Sequence, residues 1–99
     1  MSFSAPVRPV TGTYVGAGAS AAINLGFQPI AVWVHSTTST TVNRNGGFKS
    51  DQISGNTVMK HDGTTIGIGL TLTSTGFVVD TDPQFTWTGN NYVYTAWRG

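Results

Sequence analysis

Apolar residues recur at every second position in this chain, in runs that are all short. In "IGIGLTLTS" (66–74), Ile66, Ile68, Leu70 and Leu72 alternate with Gly67, Gly69, Thr71 and Thr73. A period of two is the signature of a half-buried strand, because successive side chains leave the backbone on opposite faces. "VTGTYVG" (10–16), "SAAINLG" (20–26), "GFVVDT" (76–81) and "YVYTAWRG" (92–99) read the same way. "FQPIAVWVHS" (27–36) is apolar on both faces, which predicts a central strand with Trp33 buried between valines. Turn residues separate the runs: Asn45-Gly46-Gly47, Asp62-Gly63, Ser74-Thr75-Gly76, Asp82-Pro83 and Gly89-Asn90-Asn91. Between them, "FKSDQISGN" (48–56) reads as an irregular loop and "TVMKHDGTT" (57–65) as a hairpin strand.

Turn signals every 8–12 residues predict an all-β fold. The expectation is a single-domain antiparallel β-sandwich, jelly-roll-like, with seven or eight short strands over residues 10–99. Residues 1–9 form an extended N-terminal arm, because Pro6 and Pro9 each fix φ and restrict the residue before them.

The composition narrows the function. The chain has 99 residues, a net charge of +1 and no cysteine, and only 9% of its residues are charged. Glu is absent, and helix formers give way to Thr, Val and aromatic residues. Arg8, Arg44, Lys49, Lys60 and Arg98 are scattered, so no nucleic-acid partner is expected. No apolar run is long enough to span a membrane, and "MSFSAPVRP" lacks the plan of a signal peptide.

Three patterns could carry chemistry. Gly16-Ala-Gly18-Ala-Ser-Ala21 fits the dinucleotide fingerprint, but a period-two run follows it where a helix is needed, and the acidic residue about 20 positions on is missing. The alternative is a small-residue loop where another backbone packs closely. Asp80 and Asp82 alternate as in part of a calcium loop, but the remaining ligands are absent and an Asx turn before Pro83 explains them. His35 and the pair His61-Asp62 have no nucleophile in a recognisable setting. No enzyme activity, cofactor or metal is therefore expected.

What remains is a structural or binding protein. Trp33, Trp87 and Trp97 could stack on a sugar or serve as core and subunit-contact residues. Trp87 lies near a turn and Trp97 near the C-terminus, so these two are the contact candidates. The arm "SFSAPVRPV", with Phe3, Pro6 and Arg8, could pair with a neighbouring subunit by strand addition.

Four segments carry a resemblance: "GTYVGAG" (12–18), "INLGFQPIAVWV" (23–34), "TSTGFVV" (73–79) and "NNYVYTAWRG" (90–99). Together they resemble small all-β virion proteins of tailed bacteriophages and related phage-like particles. In physical terms, Phe27 and Phe77 each enter the core after a glycine turn, and Tyr92, Tyr94 and Ala96 share one face with the phenol hydroxyls at a wet edge. The resemblance implies a capsid decoration (cement) or head-fibre subunit. Such a subunit binds the outside of the major capsid protein lattice as a homo-oligomer, a trimer being favoured. It implies localisation in the virion after assembly in the host cytoplasm. The alternative is a tail-fibre module that recognises a host surface glycan.

Overall fold

The computed structural model describes residues 9–38, 46–61 and 65–98. In chain order the elements are β1 (Val10–Val15), β2 (Ala21–Asn24), β3 (Pro29–Ser36), β4 (Gly46–Ser50), β5 (Val58–Lys60), β6 (Thr65–Ile66), β7 (Leu70–Thr73), β8 (Gly76–Val79), α1 (Pro83–Thr86) and β9 (Asn91–Arg98). Six strands form one antiparallel sheet in the order β1-β9-β3-β4-β5-β6, and three form a second in the order β2-β8-β7. Two antiparallel sheets and one short helix are compatible with the expected all-β sandwich, with nine strands among the described residues. The N-terminal arm lies outside the described residues apart from Pro9.

Period-two alternation decides what is buried. Val32, Val34, Val58, Tyr92 and Ala96 point inward from the large sheet. They form one cluster with Leu70, Phe77 and Val79 of the small sheet and Phe85 of α1. Phe77 meets Tyr94 edge to face across the sheets, with ring centroids 5.2 Å apart. Tyr14 and Tyr92 stack at 5.0 Å. Asp82 begins α1 rather than a simple turn: its Oδ1 accepts the Gln84 N–H at 2.8 Å, and Pro83 fills the first turn.

Several expectations are corrected. Trp33 is not buried. Val32 and Val34 take the inward positions, so the residue between them must point out, and Trp33 is 47% exposed. Residues 48–50 are not loop, and Gly46 and Gly47 are not a turn: all belong to β4, paired with β3 from Ala31↔Ser50 to His35↔Gly46. The run 66–74 is not one strand. Ile66 belongs to β6 in the large sheet and Leu70 to β7 in the small one, so the chain changes sheet across residues 67–69. Ile68 there has φ +49° and is exposed. Phe27 is half-buried, with the Arg98 guanidinium 4.5 Å above its ring, and does not enter the core cluster. The Tyr92 hydroxyl reaches no wet edge: Tyr92 is buried, and its oxygen accepts the Trp87 N–H at 3.1 Å.

The fingerprint-like glycines serve the fold. Gly16 N–H donates to the Asn90 carbonyl at 2.9 Å, Gly18 N–H to Thr86 at 2.9 Å, and the Gly16 carbonyl accepts Gly89 N–H at 2.9 Å. A side chain at Gly16 would strike the Trp87 carbonyl, so this is a backbone-to-backbone contact that only glycine permits.

Lys49 occupies an inward position of β4, opposite Val32, and is 1% exposed. Its ammonium donates to the carbonyls of Ile53, Gly55 (2.8 Å) and Thr57 (2.8 Å), with Ser54 at 3.4 Å. One side chain thus satisfies the carbonyls of the loop between β4 and β5. Burial lowers the Lys49 pKa from its ordinary value, and Asp80 opposes the shift.

Tyr14 carries a testable consequence. Its hydroxyl donates to the Phe85 carbonyl at 2.7 Å, which ties β1 to α1. Burial first, and Tyr92 second, push its pKa far above the ordinary tyrosine value. Above pH ~10 the unfolded chain ionises this phenol while the folded chain does not, so stability falls by up to about 1.4 kcal/mol per pH unit. Urea unfolding at pH 9 and at pH 11 should show that loss, and Tyr14→Phe should shrink it. An equal loss in wild type and Tyr14→Phe would place the cause elsewhere.

Candidate functional site

The inward alternation of the large sheet dictates an outer face of unusual composition. Antiparallel partners point to the same side, so the register defines rows across the strands. One row runs Thr11, Thr95, Trp33, Phe48, Met59, Thr65 and crosses all six strands. Its middle is apolar and open: Trp33 is 47%, Phe48 36% and Met59 41% exposed. Trp97, opposite Ala31 and half-buried, extends the same face. Threonines occupy the ends of the row. None of its positions is charged, so its contacts are apolar and hydroxylic.

A second row crosses beside the first. His35 of β3 pairs with Gly46 of β4, and His61 directly follows β5. Gly46 offers no side chain, so the two imidazoles meet above it. His35 Nδ1 and His61 Nε2 are 3.4 Å apart, and the ring centroids 5.3 Å. Trp33 stands 6.2 Å from each ring, tilted to His35 and edge-on to His61. Gly46 has φ +91°, and a Cβ there would strike the Val34 carbonyl, so the gap between the histidines is fixed by the backbone.

Trp87 lies elsewhere, at the C-terminal end of α1 and 38% exposed. It lines an open groove of about 300 Å³ with Gly18, Thr81, Pro83, Thr86 and Thr88. The two tryptophans singled out as contacts are therefore on separate surfaces, and Trp97 shares its face with Trp33. Phe3, Pro6 and Arg8 lie outside the described residues. Asp80 and Asp82 have structural partners: Asp80 Oδ2 accepts the Thr71 hydroxyl at 2.9 Å, and Asp82 caps α1.

Sequence reasoning missed the Trp33 face because it treated a doubly apolar strand as doubly buried. The signal was present in Val32 and Val34, two β-branched residues flanking an indole. The histidine pair had no such signal, since 26 residues separate its members and their meeting depends on the β3–β4–β5 register.

Among the described residues, no group of three or more His, Cys, Asp or Glu side chains is placed to hold a metal ion. No helix among the described residues is long and apolar enough to cross a membrane. No protein-family model, no curated protein and no solved structure matches the chain.

Proposed function

We propose that this chain is a non-enzymatic structural subunit of a phage-type particle, which binds the outside of the capsid as an oligomer. The observation that carries the reading is the uncharged row of Trp33, Phe48 and Met59 on the open face of the large sheet. Tryptophan is enriched at the centres of interfaces, and methionine fills irregular gaps there. A second copy of the chain is the occupant of this face, with trimers favoured by the resemblance to phage decoration proteins. The N-terminal arm, with Phe3, Pro6 and Arg8, then reaches the major capsid protein. Many weak identical contacts act together on a lattice, and their avidity exceeds that of any one contact. Because the row is uncharged, self-association through it changes little between low and high salt.

Immunogold labelling of intact particles with an antibody against the chain tests this reading. Label distributed over the heads supports it. Label confined to the tail, or no label on any particle, overturns it.

The Trp87 groove favours a second reading, a glycan-recognition module. An exposed indole beside the exposed Thr81 and Thr88 offers a sugar one stacking face and two hydroxyls. Under that reading, Trp87→Ala abolishes binding on a glycan array and leaves the oligomer intact. Wild-type protein that binds no glycan, or binding that survives Trp87→Ala, removes it.

A further inference from the structure

We infer that His35 and His61 form a two-imidazole site for a divalent transition-metal ion on the outer face of the large sheet. The inference rests on the geometry of the second row, which adjoins the proposed self-association face at Trp33, so it is tested on chain diluted to monomer.

Two imidazole nitrogens bound to one tetrahedral ion at 2.0–2.1 Å stand about 3.3–3.4 Å apart. His35 Nδ1 and His61 Nε2 are hydrogen-bonded at 3.4 Å, and an ion would take the place of the shared proton. The pair is therefore spaced for a shared ion without a change of backbone. The backbone keeps it so: β4 pairs with β3 and with β5, which fixes the register of the strand that carries His35 and the strand that His61 follows. Both histidines are exposed, so an ion reaches them from solvent. Trp33 forms one wall, in ring contact with both.

The chemistry selects the class of ion. Imidazole suits Zn²⁺, Cu²⁺ and Ni²⁺ and is a poor ligand for Ca²⁺ or Mg²⁺. Among the described residues the two histidines are the ligands, and water can fill positions that no other group takes. Such a site is open and exchangeable rather than the closed four-ligand kind that holds a fold together. Binding requires both nitrogens to be unprotonated, so protons compete with the metal.

Trp33 supplies the readout. A paramagnetic ion seated between the histidines quenches the indole beside it. Tag-free, metal-stripped full chain is titrated with Cu²⁺ while tryptophan fluorescence is followed. The expected result is saturable, partial quenching that Zn²⁺ reverses. His35→Ala and His61→Ala should each raise the half-saturating Cu²⁺ concentration by about tenfold or more. Trp33→Phe should lose most of the quenching yet keep a copper electron-paramagnetic-resonance spectrum with nitrogen couplings. Quenching unchanged in both histidine variants, or the absence of saturable binding, overturns the site. Both substitutions fall on exposed side chains, so circular dichroism should confirm that the fold persists in each variant.

Discussion

Trp33→Glu is expected to weaken self-association of the chain by about 2–4 kcal/mol, or ~30- to 1,000-fold, while the protein stays folded. The size follows from position. Trp33 sits in β3, which pairs with β9 on one side and β4 on the other, so its indole stands near the middle of the exposed face. Central aromatic residues carry most of the binding energy of an interface, and a carboxylate buried in their place must be desolvated without a partner. Stability should change by only about 1 kcal/mol or less, because the side chain points away from the core. Sedimentation velocity over a dilution series, alongside thermal unfolding, separates the two effects. Association like that of wild type in the variant, or a wild type that stays monomeric throughout, contradicts the assignment of this face.

Lys49→Met is expected to cost about 3 kcal/mol of stability or more. Methionine matches the length of the lysine stem but donates nothing. The carbonyls of Ile53, Gly55 and Thr57 then lose the ammonium that satisfies them, and the methyl group blocks the water that could replace it. These acceptors are part-buried, so each one left unsatisfied costs about 1 kcal/mol, the low end for a lost hydrogen bond. For a domain of this size, a loss of 3 kcal/mol lowers the thermal midpoint by roughly 12–24 °C. Lys49→Arg should recover little, because a planar fork does not reproduce the radial contacts of an ammonium. A Lys49→Met protein as stable as wild type would show that the loop carbonyls find water without the lysine.

These two residues mark what the sequence could and could not reveal. The strands were legible because alternation is local: β1, β2, β3, β8 and β9 all fall within runs that read as strands. The two faces of β9 were legible for the same reason, since Tyr92, Tyr94 and Ala96 alternate with Val93, Thr95 and Trp97. Three other features depend on which strands become neighbours. Lys49 is buried because β4 registers its inward side against Val32, and its four-carbonyl cage forms only when the following loop folds back. The 66–74 run reads as one strand by period, yet it splits between sheets because Gly67 and Gly69 flank a residue with positive φ. His35 and His61 meet because β4 pairs with β3 on one side and β5 on the other. At Trp33 the alternation was present but overruled by hydrophobicity, and the pleat proved the better guide. Trp97, a contact candidate by its nearness to the chain end, is half-buried and shares the outer face with Trp33.

The most direct test of the outer face as the contact surface is hydroxyl-radical footprinting of the chain at high concentration against the same chain diluted to monomer. Trp33, Phe48 and Met59 react readily when exposed and report on one row of one sheet, while Trp87 reports on a separate groove. The expected result is strong protection of Trp33, Phe48 and Met59 at high concentration, with Trp87 still reactive. Trp33 and Met59 as reactive at high concentration as in the monomer would contradict the central claim.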